Sequence, residues 1–295
     1  LKPKRIYHYL EYAALRILLF KLRLLPYALS RAFVLCLFRV IGYGFGVRKN
    51  LARRQLMKVY PGKPKAEIDL ILRKLYRQMG LTVCETWLLR EEKLIAGSRV
   101  TGDANVREAF ALGRGAILAT AHFGNWEGAR ILPRFGIPLS VVAKKQHNHF
   151  FDRFNNAIRE QHGVSVIDVK RGLRDILAHL RKNEMVAILA DQNAGKSGLI
   201  LDFLGFPASH WLGVAKLSLR YKIPIVPGFA LRTEQETLDL RFEPMIHHPE
   251  LEDAEENYIT VLNEINAVIE RYIHAYPDQW FWVHKRWKAT GVMDA

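Results

Sequence analysis

Residues 115–128 read GAILATAHFGNWEG. The apolar run 116–121 stops at His122. Phe123, Gly124 and Asn125 form a turn-prone stretch ahead of Trp126 and Glu127. A histidine that gives one ring N–H to a carboxylate keeps a lone pair on its other nitrogen. It then serves as a general base toward a hydroxyl or an amine. The pattern predicts a helix beginning near Trp126, with Glu127 in its first turn and pointing back at the imidazole as its orienter. Asn125, in the turn, is a candidate substrate contact. Backbone N–H groups at the start of such a helix can stabilise an oxyanion. A lone histidine is more often a cap or a packing residue. The strand end, the acid and the glycine turn together favour chemistry here.

Such a site needs a scaffold that ends a buried strand beside other strand ends. Apolar strand-like runs occur at 116–121, 139–143, 165–168, 186–190, 199–203, 225–230 and 238–242. Amphipathic helical runs occur at 64–89, 104–112, 126–135, 151–162, 173–182, 210–221 and 254–274. Continuous apolar strands alternating with helices predict an α/β fold, an αβ sandwich with a mixed, mostly parallel central sheet. Active sites in open α/β sheets lie beyond the carboxyl ends of the strands. Asp191 and Gln192, directly after the run 186–190, are therefore candidate substrate-binding residues. So are the cations Arg159, Lys170 and Arg171, which follow the second and third runs and suit anionic groups. For each cation a solvated helix end is an equal alternative.

Charge divides the chain unevenly. The formal net charge is +15 over 295 residues. Residues 1–60 hold 13 Lys and Arg against Glu11 alone, so +12 of it sits there and +3 in the rest. This basic segment is also rich in Leu, Phe, Ile and Val. Arg5, Arg16 and Arg23 line up on one helical face. The segment predicts an amphipathic helical anchor that lies in a bilayer interface with arginines at anionic headgroups. Arg31 and Arg39 interrupt the second apolar run, which argues against a clean span. The expected organisation is an anchor at 1–60 and a catalytic domain at 61–295. Nucleic acid is disfavoured because the arginines are embedded in aliphatic sequence.

Other signals carry less. NAGKSG (193–198) has Ala190 where a phosphate-binding loop requires glycine. His147, His149 and Asp152 lack a second cluster at metal-ligand spacing. No GxSxG elbow exists. Cys36 and Cys84, far apart, suggest no disulfide, and Cys84 reads as core. His284, Lys285 and Arg286 read as part of the C-terminal fold.

HFGNWE matches the HxxxxD/E motif of the glycerolipid acyltransferase superfamily. The longer GRGAILATAHFGNWE (113–127) resembles the branch of bacterial lipid A late acyltransferases, the lauroyl and myristoyl transferases. NL…VYPGKPKAE with QMGLTVCE, ADQN (190–193) followed by LDFLGFPA, and YPDQWFWVHKRWK (276–288) resemble that branch's other blocks, in order, from about Asn50 to Lys288. Ser209-His210 stands where many relatives have threonine-rich sequence. The resemblance implies transfer of a fatty acyl chain from a thioester, on acyl carrier protein or coenzyme A, to a hydroxyl of an anionic membrane lipid. His122 would be the base and Glu127 its orienter, without metal or cofactor, on the cytoplasmic face of the bacterial inner membrane. Three readings compete: a lipid A-type acyltransferase, the same chemistry on a lysophospholipid, glycolipid or aminolipid, and a non-catalytic membrane-binding protein.

Overall fold

The computed structural model describes residues 3–169 and 172–293. Its centre is a seven-stranded sheet. The strands are β1 (Ser98–Thr101), β2 (Ala116–Thr120), β3 (Leu139–Ala143), β4 (Ser165–Asp168), β5 (Met185–Leu189), β8 (Ile225–Arg232) and β9 (Leu238–Phe242). Between β5 and β8 in the chain, β6 (Leu199–Phe203) and β7 (Phe206–His210) pair as a separate antiparallel hairpin. The sheet order is β1-β9-β8-β2-β5-β3-β4. Every neighbouring pair is parallel except β8 with β9. The mixed, mostly parallel sheet is thus present, with six of the seven expected strands in it; the seventh, 199–203, forms β6 of the separate hairpin. The short edge strand β1 and the hairpin strand β7 are additional.

Side chains alternate across the strands and divide the core into two layers. Ile117, Ala119 and Val186 pack with Ile265, Ile269 and Trp282. Ala116, Leu118 and Ala187 pack on the opposite face with Val106 and Ile131. Burial on both faces explains why β2 and β5 read as unbroken apolar runs.

The helices are α1 (Pro3–Leu24), α2 (Tyr27–Arg39), α3 (Lys49–Val59), α4 (Lys65–Trp87), α5 (Glu91–Ala96), α6 (Asp103–Ala111), α7 (His149–Gln161), α8 (Gly172–Leu180), α9 (Gly213–Tyr221) and α10 (Glu255–Ala275). The stretch expected to be helical from residue 210 starts only at Gly213, because Ser209 and His210 complete β7. α2 continues into a π-helical turn, Val40–Gly44, that closes on α4. A Cβ at Gly42 would lie 2.1 Å from the Tyr76 ring, so only glycine allows this approach. Arg31 of α2 and Arg77 of α4 both pair with Glu236, in the turn between β8 and β9.

The basic segment behaves as two parts. α3 buries Leu51, Ala52 and Leu56. Its Gln55 donates to the carbonyls of Trp282 and His284, at 2.6 and 3.0 Å. α3 therefore belongs to the main core, although it lies inside the expected 1–60 anchor. α1 and α2 instead present large apolar side chains to the outside. Leu24 is 70% exposed and Phe20 65%, and Leu29 and Phe33 are also exposed. The stretch Tyr27–Gly44 is long and apolar enough to cross a membrane by length and composition. Arg5, Arg16 and Arg23 are exposed. Arg16 bonds Tyr12 and lies over the Phe154 ring of α7, and Arg23 donates to the Trp87 carbonyl.

Candidate active site

The parallel register of β2 and β5 builds the site. Thr120 is paired with Leu189, and the Ala190 amide donates to the Thr120 carbonyl. Two residues beyond each strand end stand His122 and Asp191, side by side. His122 Nδ1 lies 2.8 Å from Asp191 Oδ1. The His122 backbone N–H and the Trp280 indole N–H both donate to Asp191 Oδ2, each at 2.9 Å. Asp191 is 3% exposed. Burial alone would raise its pKa. The imidazole and the three hydrogen bonds outweigh that and hold the carboxyl below its ordinary value.

An ionised Asp191 accepts from Nδ1–H, so the lone pair of His122 sits on Nε2. There it accepts from the Gln192 side-chain amide at 3.2 Å. Trp126 and Phe281 flank the ring, at centroid distances of 5.3 and 5.9 Å. The His122 side chain is 16% exposed. Nε2 is thus a shielded, oriented acceptor whose present partner is an amide that a hydroxyl can replace.

A C-terminal strap holds this arrangement. The Phe281 amide donates to the His122 carbonyl at 3.1 Å, and the Gly124 amide to the Gln279 carbonyl at 2.9 Å. At Gly124, with φ +56°, a Cβ would meet the Ala230 carbonyl oxygen at 2.1 Å, so the turn requires glycine. From α4, Thr82 donates to the Gly124 carbonyl, and Glu85 accepts from Asn125 at 2.7 Å. Glu85 also receives the buried Arg232 guanidinium, at 2.5 and 3.0 Å.

Among the described residues, Glu127 makes no hydrogen bond to His122 and pairs with Arg159 instead. The element after the turn is a 3₁₀ helix, Trp126–Phe135, with Pro133 inside it, and not the expected α-helix. Three residues per turn direct Glu127 toward α7. There it forms a two-pronged pair with Arg159: Nη2 to Oε1 at 2.5 Å and Nε to Oε2 at 3.1 Å. Burial opposes the charge of Arg159, and Glu127 more than restores it, leaving the guanidinium above its ordinary pKa. Arg130 braces the same helix by donating to the carbonyls of Glu127 and Glu85, both at 2.9 Å.

The expected substrate contacts divide accordingly. Gln192 is at the imidazole. Asp191 is there too, as its partner. Arg159 is beside the site but committed to Glu127. Asn125 is fully buried and caps the 3₁₀ helix, accepting from the Gly128 amide at 3.1 Å, so its side chain is not open to substrate. That amide also donates to the Asn125 carbonyl, which removes one expected oxyanion donor. Lys170 and Arg171 lie outside the described residues.

Sequence reasoning missed Trp280 as a partner of Asp191. An indole 89 residues away leaves no local signal. Arg286 lies in the C-terminal fold, fully buried, donating to the Ser209 carbonyl and to His210 at 2.6 Å each. Burial pushes Arg286 down to about 10, and burial together with Arg286 pushes His210 down to about 4. Among the described residues, no group of three His, Cys, Asp or Glu can hold a metal ion.

A family model for bacterial lipid A biosynthesis acyltransferases matches residues 2–289. The lipid A biosynthesis palmitoleoyltransferase of Escherichia coli (strain K12) is 24% identical over 253 residues, covering 83% of this chain and 80% of its own. The phosphatidylinositol mannoside acyltransferase of Mycobacterium tuberculosis (strain ATCC 25618 / H37Rv) is 26% identical over 251 residues, covering 82% and 77%. A 1-acyl-sn-glycerophosphate acyltransferase from Thermotoga maritima superposes with a TM-score of 0.40 at 13% identity, over 86% of this chain and 99% of that one. The match spans the strand-end histidine, its neighbouring carboxylate and the strap over both: the chain belongs to the bacterial lipid A biosynthesis acyltransferase family and is an acyltransferase.

Proposed function

We propose that the enzyme transfers a fatty acyl chain from a thioester, on acyl carrier protein or coenzyme A, to a hydroxyl of a lipid A-type precursor. The observation that carries this reading is the 2.8 Å contact between His122 Nδ1 and Asp191, with Nε2 left as the acceptor. In the reaction the hydroxyl displaces the Gln192 amide and gives its proton to Nε2 as its oxygen attacks the thioester carbonyl. The C–S bond then breaks, and the imidazolium returns the proton to the departing thiolate. Asp191 stabilises the imidazolium between these steps. Glu127 acts through Arg159, by fixing α7 against the 3₁₀ helix that follows the base. Purified enzyme with acyl thioester and acceptor should form ester and free thiol in equal amounts, and His122→Ala should form neither above background. A His122→Ala enzyme keeping more than about a tenth of the rate would remove the imidazole from this role.

A glycolipid acceptor is the second reading. It is favoured by the similarity to a phosphatidylinositol mannoside acyltransferase at the same level as to the lipid A enzymes. Parallel assays with both acceptor classes, read by mass spectrometry, separate the two.

The enzyme works at the cytoplasmic face of the bacterial inner membrane, where α1 and α2 sink their outward apolar residues into the interface. Flotation with anionic liposomes tests this. Phe20→Ser/Leu24→Ser/Leu29→Ser should stay at the bottom of the gradient, and continued flotation would place the membrane contact elsewhere.

A further inference from the structure

A cavity of about 700 Å³ lies where the α1–α2 turn meets the end of α4, the start of α5 and the end of α7. That volume is in the range of pockets that hold small ligands. Its lining includes apolar residues, Leu22, Leu25, Pro26, Leu88 and Ile158. It also includes the cations Arg23, Arg90, Lys93 and Arg130.

The positive charge there is only partly balanced by the protein: Glu127, Glu85 and Glu91 act on Arg130. Arg23 spends its hydrogen bonds on the Trp87 carbonyl, a neutral group. Arg90 and Lys93 make no ion pair among the described residues and are exposed at the rim. Glu91 is the one carboxylate named in the lining, and it is shared between Arg134 at 2.9 Å and His162 of the wall at 3.1 Å. The carboxylates nearest Arg130, Glu85 and Glu127, are taken by Arg232 and Arg159. His162 in the wall is held below its ordinary pKa, by burial first and by Arg130 next, with Glu91 acting in the opposite direction. The hydroxyl of Thr86, also in the wall, is buried without a hydrogen-bond partner.

The outside of the cavity points to the ligand's other half. The turn forming its lip carries Leu24, Leu25 and Leu29, all exposed. A water-soluble anion would gain nothing from them. A molecule with a phosphate and hydrocarbon chains matches both kinds of residue.

We propose that this cavity is a binding site for one anionic, phosphate-bearing lipid. Arg23, Arg90 and Lys93 receive its phosphate, and its chains leave past Leu22 and Leu25 over the α1–α2 turn. Because that lip is also the surface assigned above to the membrane, the site takes lipid sideways from the interface. It does not depend on the chemistry at His122. The phosphate has two possible sources, the acceptor of the reaction or a resident phospholipid.

The test uses the full-length protein in nonionic detergent micelles, read by native mass spectrometry. The probes are dioleoyl phosphatidylglycerol and dioleoyl phosphatidylcholine. One phosphatidylglycerol per chain should be retained, in at least tenfold preference to phosphatidylcholine. Arg90→Glu/Lys93→Glu should abolish that preference with an unchanged melting temperature, and His122→Ala should keep it. Equal retention of the two lipids, no retention, or an unaffected double variant would overturn the site. Titration with a phosphorylated lipid A-type acceptor then identifies the source. Displacement of the phosphatidylglycerol, with a raised acceptor KM in the double variant, assigns the cavity to the acceptor. No displacement and an unchanged KM assign it to a resident lipid. Since micelles replace the bilayer, loss of flotation with retained lipid would sink the membrane reading and leave the cavity's role standing.

Discussion

Two carboxylates with charged or chargeable partners stand on either side of the turn at 123–125, and they are built for opposite ends. Asp191 is sunk at a strand end with donors on both oxygens, and its partner keeps a lone pair facing the open side. Glu127 is locked to a guanidinium that has no lone pair to offer and no accessible deprotonated state. The first pair can take up and release a proton. The second can only hold two elements together. Proximity in sequence to the histidine is therefore a poor guide to which acid touches it. The register of two parallel strands decides.

Asp191→Asn should separate the pairs most sharply. The amide favours the wrong imidazole tautomer, and kcat should fall roughly 10²–10⁴-fold with little change in KM. The same variant tests linkage. The folded-state pKa of Asp191 lies below its unfolded value of about 3.9, so its contribution to stability is full above that pH and is lost as pH falls through the folded value. The melting-temperature gap between wild type and Asp191→Asn should hold at neutral pH and shrink below about pH 4. A gap that widens in acid would mean that Asp191 is not held ionised.

Next come Glu127→Gln and Arg159→Gln. Each should cost about 10–100-fold in kcat by letting the 3₁₀ helix shift relative to the base. Combined, they should be no worse than either alone, since both break one pair. Multiplying effects would give the two residues separate duties and bring Glu127 back into the chemistry.

Trp280→Phe should have the smallest effect. It removes one of three donors to Asp191 and leaves the ring packing, so kcat should fall about 3- to 10-fold at constant KM. A change in KM alone would reduce the indole to a wall of the pocket.

Much of this was legible in the chain. The apolar runs located every strand that is buried on both faces, and the turn at Gly124 marked His122 as a strand-end residue. β1 escaped because its burial alternates between half-exposed and exposed, which leaves SRVT without an apolar run. β7 escaped because its buried residues, Ala208, Ser209 and His210, are small or polar. Asp191 was visible as a strand-end acid. Its pairing with His122 was not, because strand register is a nonlocal property that one sequence does not display. The Glu127–Arg159 contact was not visible either, because Pro133 and the Asn125 cap give a 3₁₀ helix where 3.6 residues per turn was assumed.

The strap over the site has one more consequence. Trp280 and Phe281, which fix Asp191 and the His122 backbone, leave the ribosome long after α1 and α2. Domains begin to fold from the N-terminus during synthesis. The apolar hairpin is thus free to settle at its surface while the base still lacks its final supports. A chain that stops ahead of Trp280 would be an inert precursor, and competence to acylate would come only once Trp280 and Phe281 had joined the fold.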